Sequence, residues 1–483
     1  MRDEKYKVIY ASFEAAPFFK TGGLGDVAGS LPAALQRAGA DVRVMLPRLA
    51  ALNADFAARL RHVADFCVPL GWRQQYCGIE ELVHQGVTYY FIDNEYYFKR
   101  EQPYGYGDDA ERIAFFSKAI LEALQHLPGF FPDILHCNDW HTALCPVFLR
   151  EQYMQAPCYD RLKTVFSVHN LKFQGVFGGD VLGDILGLHE SAAARGQLMT
   201  GDCINYLRGA ACYSDRLLTV SPTYAEEICT PACGEGLEEI FCRRRVVLRG
   251  ILNGINTAEY DPAHDTQIPA QFSTADMAGK AVCKRELQQR LGLAVRDDVP
   301  LAVLVSRLTE QKGIDLLLHI LPELLGYDIQ VAVLGVGEPH YEQAFRHFAA
   351  AQPDKFACSL TFSDALAHQF YAGADMLLMP SRFEPCGLSQ MIAMRYGALP
   401  VVRETGGLKD SVQPYNCTDG SGNGFSFANY NAHELLYTLQ AALRLWRQPG
   451  DWQRLAAQAM ATDNSWQRSA GEYTAVYRGL LVE

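Results

Sequence analysis

Short apolar runs rich in β-branched residues alternate with segments of helical periodicity along most of the chain. The following runs are predicted to be buried strands: Lys7–Ser12, Asp41–Leu46, Val87–Asp93, Asp133–Cys137, Thr164–His169, Arg216–Ser221, Pro300–Ser306, Ile329–Leu334, Met376–Pro380 and Leu399–Val402. Strands that alternate with helices predict a parallel sheet with helices on both faces. Because the alternation weakens across Thr257–Lys280 and then resumes, we predict an α/β protein of two domains with a boundary near residues 250–280.

The length and composition agree with two folded domains. A chain of 483 residues exceeds what one hydrophobic core usually organises, and 49% hydrophobic with 20% charged residues is typical of a globular protein. The net charge of −12 argues against a nucleic-acid partner, because phosphate backbones are bound through clustered Lys and Arg. A neutral polysaccharide, or a small phosphate compound held by a few cations, is compatible with this charge.

The sequence shows neither an export signal nor a membrane segment. The charged start, MRDEKYKVIYAS, lacks the apolar core of a signal peptide, and apolar runs such as Leu301–Val305 are too short to span a bilayer. Fourteen cysteines occur without a CxxC pair, which favours free thiols in a reducing compartment over disulfides or a zinc site. We therefore expect a cytoplasmic protein without a membrane partner or a bound metal.

The loop after the first predicted strand is rich in glycine and begins with a cation. The segment Lys20–Asp26 reads KTGGLGD and precedes a helix that we predict to continue through Leu35. Gly22 and Gly23 would let the backbone approach a ligand, and the free N–H groups of a helix N-terminus attract an anion. A tight strand-to-helix turn with an exposed lysine explains the motif equally well, because such turns are common in α/β domains.

Two further strands of the first half end in polar and ring-bearing side chains. The motif HCNDWH spans His136–His141, and the motif SVHN ends at His169 and Asn170. Ligands bind outside the carboxyl ends of strands in open parallel sheets, so these side chains are placed to hydrogen-bond sugar hydroxyls. For His136 and His141 we favour a structural hydrogen bond, because no further ligand set accompanies them to complete a metal site.

The second half contains two loops with candidate chemistry. The motif SRLTEQKG places Arg307 and Lys312 on one strand-to-helix loop, where two cations can neutralise a diphosphate. The motif EPCGLSQ places Glu384 before a helix predicted to begin near Gly387, and a carboxylate can accept hydrogen bonds from two neighbouring sugar hydroxyls. A solvated basic loop, and helix capping by Glu384 worth ~0.3–1 kcal/mol, are the structural alternatives.

Two more features of the second half suggest ligand contacts. Cys386 lies beside the predicted helix N-terminus, a position that can lower the pKa of a thiol, so we expect a reactive cysteine that a ligand bound at this loop protects. The segment Thr405–Asp410 reads TGGLKD and again joins a strand to a helix through glycines. It is a second candidate anion cradle.

None of these motifs is specific alone, but their order is. KTGGLGD, HCNDWH, SVHN, LNGI, SRLTEQKG, SRFEPCGLSQ and TGGLKD follow one another as in the bacterial glycogen synthase and plant starch synthase family, which the chain resembles from Lys7 to its final helix. The resemblance implies a GT-B fold, in which two Rossmann-like domains face each other across a deep cleft. It divides the chain into residues 1–255, residues 256–465 and a final helix, residues 466–483, that crosses back to the first domain.

The resemblance also implies an activity and a set of site residues. The activity is transfer of glucose from ADP-glucose to the non-reducing end of an α-1,4-glucan such as glycogen, with retention of the anomeric configuration and without a metal or cofactor. The residues that would act in catalysis are Glu384, Arg307, Lys312 and His169. Those that would bind the donor are Lys20, Gly22, Gly23, Asn170, Phe362, Cys386, Gly387, Thr405, Gly406 and Gly407. Those that would face the acceptor are Asp26, Tyr104 and Asp139.

Three positions depart from the family pattern. The motif LNGIN ends in Asn256 where the family usually has Asp, and a local hydrogen bond by Asn256 is the simplest interpretation. Phe362 stands where bacterial relatives often have Tyr, so stacking on the base would survive while a hydroxyl contact would be lost. Ile392 stands where wider GT-B relatives often carry a second Glu.

Three alternatives to this activity stay open at the level of the sequence. The same transfer could use UDP-glucose, because the base pocket cannot be recognised from the residues. A phosphorylase or epimerase of this fold is a second alternative, although no motif for a pyridoxal-phosphate lysine is evident. A non-catalytic glucan-binding protein is a third, but it would need no diphosphate cations such as Arg307 and Lys312. A homo-oligomer also stays open, because no motif in the sequence indicates the oligomeric state.

Overall fold

The computed structural model describes residues 5–188 and 191–482, and this part of the chain divides into two compact units. Unit 1 comprises the described residues up to Val220, together with Ala225–Ile251 and the residues from Trp466 onward. Unit 2 comprises Ser221–Tyr224 and Leu252–Ser465.

Unit 1 contains a large sheet of nine strands and a small sheet of three strands. Its strands are β1 Lys7–Ala11, β2 Asp41–Pro47, β3 Arg61–Leu70, β4 Arg73–His84, β5 Val87–Asp93, β6 Ile134–Asn138, β7 Lys163–Val168, β8 Val176–Gly178, β9 Met199–Thr200, β10 Cys203–Asn205, β11 Arg216–Thr219 and β12 Leu248–Gly250. The large sheet has the order β12-β11-β7-β6-β1-β2-β5-β4-β3. It is parallel except for β3 and β4, which form an antiparallel hairpin at one edge.

Helices cover the central strands of unit 1, so those strands are continuous apolar runs with almost no exposed surface. The helices are α1 Gly23–Arg37, α2 Ala54–Ala57, α3 Glu95–Phe98, α4 Asp109–Ala123, α5 Leu144–Phe148, α6 Val181–Asp184, α7 Ala192–Leu198, α8 Tyr206–Tyr213, α9 Pro222–Glu227, which begins in unit 2, α10 Glu238–Arg243, and the terminal helix α19 Trp466–Val482. The terminal helix belongs to this core through Trp466, Tyr473 and Tyr477, which pack with α1 residues such as Leu31.

Unit 2 is built on a six-stranded, fully parallel sheet. Its strands are β13 Leu301–Val305, β14 Gln330–Leu334, β15 Phe356–Ser359, β16 Met376–Met379, β17 Leu399–Arg403 and β18 Phe425–Phe427. They lie in the order β15-β14-β13-β16-β17-β18. Its helices are α11 Ala278–Leu291, α12 Ile314–Leu324, α13 Pro339–Ala351, α14 Asp364–Gly373, α15 Ser389–Arg395, α16 Gly406–Ser411, α17 Ala432–Trp446 and α18 Pro449–Ala461.

Each large sheet contains one point at which the strand order reverses. In unit 1 this point lies between β1 and β6, and in unit 2 between β13 and β16. At this point the connections that follow the two strands run to opposite sides, so a crevice opens outside the carboxyl ends of the strands. Ligands of open α/β sheets bind in such crevices. The loops after these four strands are therefore where the chemistry of each unit is expected.

The strands predicted from the hydrophobic pattern all occur, with ends within two residues of the predicted ones. The pattern missed the β3–β4 hairpin, because these edge strands alternate exposed and partly buried positions instead of forming apolar runs. Among the described helices, none is both long and apolar enough to cross a membrane.

Candidate functional site

The loop after β1 is tied down by a buried carboxylate. Glu14 accepts hydrogen bonds from the Thr21 backbone N–H at 2.5 Å and from the Thr21 hydroxyl at 2.8 Å. Burial raises the pKa of Glu14, and the nearby Asp26 carboxylate contributes in the same direction. These bonds fix the position of the KTGGLGD motif relative to the sheet.

Within this motif the glycines have two different roles. A Cβ added at Gly25 would lie 2.4 Å from the Cβ of Lys20, so packing inside the loop requires glycine there. A Cβ added at Gly22 or Gly23 would meet no atom within 4 Å. These two therefore border open space at the start of α1, as expected for backbone that a ligand approaches. The Lys20 ammonium lies 3.1 Å from the Asp26 carboxylate.

The loops after β6 and β7 are joined through Asp139. Its carboxylate accepts hydrogen bonds from the backbone N–H of His169 at 2.7 Å and from that of Asn170. Burial raises the pKa of Asp139 to about 7. The His169 Nε2 lies 2.9 Å from the Asn138 Oδ1, which accepts its hydrogen, and burial lowers the pKa of His169 to about 4. The imidazole is therefore neutral near pH 7.

The two other histidines of this region differ from each other. His136 is fully buried and bonds the Tyr477 hydroxyl at 2.6 Å and the Ser167 hydroxyl at 2.7 Å, so the predicted structural role is confirmed. For His141 the predicted structural hydrogen bond is wrong, because neither ring nitrogen has a partner among the described residues. Its ring stacks on Phe13 with centroids 4.9 Å apart.

Tyr104 lies beside the KTGGLGD loop after β1 and the HCNDWH loop after β6. Its hydroxyl is 3.0 Å from the Thr21 hydroxyl, and its ring contacts the rings of Trp140 and His141. Unit 1 thus brings together the predicted residues of the KTGGLGD, HCNDWH and SVHN motifs with Tyr104 at the reversal point of its sheet.

In unit 2 the loops after β13 and β16 meet in an ion pair. The Lys312 Nζ lies 2.5 Å from the Glu384 Oε2, and the Ser381 hydroxyl donates to the same oxygen at 3.2 Å. The Glu384 side chain is only 8% exposed, whereas Arg307 on the same loop as Lys312 is exposed. The turn before α12 requires Gly313, because its φ is +68° and a Cβ there would lie 2.0 Å from the Pro380 carbonyl oxygen.

The thiol of Cys386 does not have the reactive setting that the sequence suggested. Its residue is buried, and burial raises its pKa to about 12, while hydrogen bonds with Asn253 act in the opposite direction. The following helix begins at Ser389, so the thiol is set back from the helix terminus. The expectation of a lowered thiol pKa is therefore wrong, because desolvation disfavours the thiolate more than the neighbouring amides favour it.

The glycines of the TGGLKD motif are explained by packing against the Glu384 loop. A Cβ at Gly406 would lie 2.0 Å from the Glu384 carbonyl oxygen, and one at Gly407 would lie 2.2 Å from the Cys386 carbonyl oxygen. The Gly407 N–H donates to the carbonyl oxygens of Glu384 and Pro385, both at 3.1 Å. The Gly407 amide is thus already bonded within the loop, and the contact of this motif with an anion stays a prediction. Thr405, 2% exposed, precedes it as the first residue of the same packed loop.

The structure gives the hydrogen bond or the exposure of each of the three positions that depart from the family pattern. The Asn256 Oδ1 accepts the Ala258 N–H at 3.2 Å, which is the local hydrogen bond expected for it. Phe362 is 76% exposed just before α14, and Ile392 is buried within α15.

Two residues of these sites were missed at the level of the sequence. Glu14 lies in the loop that follows β1, and the rule that informative residues lie just after strands would have selected it. Asn253 bonds Cys386 from a distant segment, and no local pattern indicates that contact. Among the described residues, no group of three or more His, Cys, Asp or Glu side chains is arranged to hold a metal ion.

The high thiol pKa predicts that Cys386 resists alkylation. In the native protein at pH 8 we expect iodoacetamide to label it about 100-fold or more slowly than the exposed Cys417, because only the thiolate reacts. Addition of ADP-glucose should change this slow rate little. Labelling rates read by peptide mass spectrometry test this, and labelling of Cys386 as fast as Cys417 would contradict it.

The comparisons with known proteins agree with this geometry. The family model "Starch synthase catalytic domain" matches residues 7–243, and "Glycosyl transferases group 1" matches residues 287–458. The glycogen synthases of Geobacillus thermodenitrificans (strain NG80-2) and Desulfitobacterium hafniense (strain DSM 10664 / DCB-2) are 50% and 47% identical to this chain; each alignment covers 98% of it, and 98% and 99% of those proteins respectively.

Solved structures extend the similarity to the fold. The catalytic domain of starch synthase IV from Arabidopsis thaliana, bound to ADP and acarbose, matches with a TM-score of 0.90 and 34% identity over 99% of this chain and 100% of that one. Sucrose-phosphate synthase from Thermosynechococcus elongatus, at 17% identity and a TM-score of 0.61, shares the fold. The resemblance drawn from the order of the motifs is confirmed: the chain belongs to the glycogen synthase and starch synthase family of hexosyltransferases, with the GT-B fold of two Rossmann-like domains.

Proposed function

We propose that this protein transfers glucose from ADP-glucose to the non-reducing end of an α-1,4-glucan, with retention of the anomeric configuration. The observation that carries the proposal is the Lys312–Glu384 pair at the reversal point of the unit 2 sheet. A cation and a carboxylate held 2.5 Å apart can serve the two charges that separate when the anomeric bond breaks. The ADP in the similar starch synthase IV structure supports an adenine nucleotide as the donor's carrier.

The proposed chemistry follows from the charges that develop. The bond between the anomeric carbon and the diphosphate breaks, so positive charge grows on the sugar and negative charge on the leaving group. Lys312, together with the exposed Arg307, stabilises the departing diphosphate, and such preorganised donors typically contribute ~3–4 kcal/mol. Glu384 accepts hydrogen bonds from glucose hydroxyls beside the growing positive charge. The new bond forms to the acceptor hydroxyl, whose proton passes to the leaving diphosphate.

The residues of unit 1 act on both substrates in this proposal. Lys20 contacts the donor phosphates, and the open space beside Gly22 and Gly23 admits the ligand to the backbone. The Nδ1 of the neutral His169 accepts a hydrogen bond from a glucose hydroxyl, because its Nε2 donates to Asn138, and an uncharged imidazole does not oppose the growing positive charge. Asp139, Asp26 and Tyr104 face the acceptor.

The identity of the donor is decided by one assay. Purified protein is incubated with glycogen and either ADP-glucose or UDP-glucose, and both nucleotide release and glucan growth are measured. We expect ADP-glucose to give the higher kcat/KM, and we expect EDTA to leave the rate unchanged because cations replace a metal at the leaving group. Nucleotide release without glucan growth, or no reaction with either donor, would contradict the proposal.

A cytoplasmic location is part of the proposal. All fourteen cysteines lie in the described part of the chain and are free thiols, five of them exposed. Exposed thiols persist mainly in reducing compartments.

A further inference from the structure

The loop that carries Tyr104 is attached to unit 1 by a buried ion pair. This loop, residues 99–108, joins α3 to α4, and its residues are exposed or half-buried throughout. Arg112, in the first turn of α4, has no exposed surface, and its guanidinium lies 2.5 Å from the Asp109 carboxylate. Because burial of two charges costs free energy that their attraction repays only partly, stability alone explains such a pair poorly.

Arg112 fixes the chain on the side that precedes Tyr104. Its Nη2 donates to the carbonyl oxygen of Pro103 at 3.1 Å, and Pro103 is the residue before Tyr104. Its Nε donates to the carbonyl oxygen of Tyr97 in α3 at 2.7 Å. One planar guanidinium therefore connects the loop with both helices that it joins, which the single ammonium of a lysine does not reproduce.

Asp109 fixes the chain on the side that follows Tyr104. Its Oδ2 accepts hydrogen bonds from the backbone N–H of Gly105 at 2.5 Å and from that of Tyr106 at 3.1 Å. Its Oδ1 accepts the bond from Arg112, so both carboxylate oxygens are used, one toward the loop and one toward the guanidinium. The backbone of Tyr104 is thus held from both sides by one buried pair.

The hydroxyl of Tyr104 is oriented as well. The Thr21 hydroxyl donates its hydrogen to Glu14 at 2.8 Å, so the hydrogen between the hydroxyls of Thr21 and Tyr104, which lie 3.0 Å apart, belongs to Tyr104. The lone pairs of the phenolic oxygen can then accept a further hydrogen bond, and Tyr104 is 39% exposed. A sugar hydroxyl is a donor of the kind that such an oxygen accepts.

We propose that Asp109 and Arg112 are positioning residues for the glucan acceptor, on which they act through Tyr104 without touching the glucan. The inference rests on the proposed function, in which Tyr104 faces the acceptor. A tyrosine on an unanchored loop would lose conformational freedom whenever a glucan bound, and the buried pair removes that freedom beforehand. The pair should therefore lower KM for the glucan. It should affect the donor little, because Thr21 keeps its bonds with Glu14 when Tyr104 moves.

Asp109→Asn tests this role by steady-state kinetics. An amide offers one oxygen and one NH2 group, so it can satisfy either Arg112 or the loop N–H groups but not both. KM for glycogen should rise about three- to tenfold, while KM for ADP-glucose changes less than about twofold. Arg112→Lys keeps the charge without the planar fork and should show the same selective rise, so it replaces Asp109→Asn if that variant folds poorly. The matched control is Asp108→Asn: Asp108 pairs with Arg100 at 2.7 Å, its side chain is 34% exposed, and KM for glycogen should change less than about twofold.

A double-mutant cycle separates positioning from general loosening of the protein. Tyr104→Ala should raise KM for glycogen at least as much as Asp109→Asn does. When Asp109→Asn is added to Tyr104→Ala, KM should rise less than about twofold further, because the group that the pair positions is already absent. An equal rise in both backgrounds overturns the inference and leaves the proposed function intact, as does an effect of Tyr104→Ala without one of Asp109→Asn.

Hydrogen exchange tests the anchoring of the loop without substrates. Backbone amides in a peptide that covers residues 99–108 should exchange about tenfold or more faster in Asp109→Asn than in Asp108→Asn or the unaltered protein, because the Gly105 and Tyr106 N–H groups lose their acceptor. Unchanged exchange in Asp109→Asn overturns the inference. A loop that loosens as expected in a protein unable to extend glycogen would contradict the proposed function and not the anchoring.

Discussion

Glu384→Gln is expected to lower kcat for glucosyl transfer by about 10²–10³-fold while KM for the donor changes far less. Glutamine keeps the shape of the side chain and can still accept a hydrogen bond from the Lys312 ammonium, which lies 2.5 Å from the carboxylate. It removes the negative charge, whose attraction grows only as positive charge develops on the sugar. The loss therefore falls on the transition state more than on the bound substrate.

The matched control for this substitution is Glu310→Gln. Glu310 pairs with Arg382 on the neighbouring loop, but its side chain is 62% exposed, so the same chemical change occurs in solvent. Exposed ion pairs contribute ~0–1 kcal/mol, and we expect Glu310→Gln to keep near-normal kcat. Steady-state kinetics with saturating glycogen measure both variants. A Glu384→Gln enzyme with near-normal kcat would show that the carboxylate is structural.

Lys20→Gln provides a contrast in the same assay. The phosphates that Lys20 is proposed to contact are charged before and during the reaction, so the contact has similar strength in the bound substrate and the transition state. Its loss should raise KM for the donor about tenfold with a smaller effect on kcat. Lys20 is one-third exposed and pairs with Asp26 at 3.1 Å, so thermal melts should be nearly unchanged. Glu384 is buried, and its replacement should cost ~1–3 kcal/mol of stability, unlike a residue on an open loop.

The parts of the fold that the sequence could predict are those set by local pattern. Buried parallel strands such as Val8–Ala11 are continuous apolar runs, and chemistry-bearing residues such as Lys312 and Glu384 lie in the loops that follow strands of this kind. The contact between Lys312 and Glu384, 72 residues apart, is not local. It arises because β13 and β16 are neighbours in the sheet, a consequence of strand order that no single motif encodes.

The parts that the sequence could not predict depend on what packs against each residue from elsewhere. The neighbourhood of Cys386 in the chain suggests an activated thiol, whereas its burial raises the pKa to about 12. His141 resembles His136 in the sequence, yet only His136 meets hydroxyl partners, one of them on the terminal helix. Glycine motifs are equally ambiguous, because Gly22 borders open space while Gly407 is pressed against backbone.

That difference between the two glycines gives a prediction about stability and activity together. A Cβ at Gly407 would lie 2.2 Å from the Cys386 carbonyl oxygen and 2.4 Å from its Cα, so Gly407→Ala must displace the loop that carries Glu384. Overpacking of this kind costs ~1–3 kcal/mol, and a shift of the catalytic group of about 1 Å can cost about 10²-fold in rate. We expect a melting temperature lower by about 3–8 °C and kcat lower by about 10²-fold.

Gly22→Ala is the control, because it adds the same methyl group to a glycine of the KTGGLGD motif instead of the TGGLKD motif. Gly22 has extended backbone with φ −166°, which alanine also adopts, and its Cβ would meet no atom within 4 Å. Its melting temperature should fall by no more than about 2 °C, since alanine is a poorer helix N-cap than glycine by roughly 0.5 kcal/mol. If a donor approaches this backbone as proposed, KM rises while kcat stays near normal. A Gly407→Ala protein that melts and turns over like the unaltered enzyme would show that the Glu384 loop tolerates the added methyl group, and would contradict the packing role assigned to Gly407.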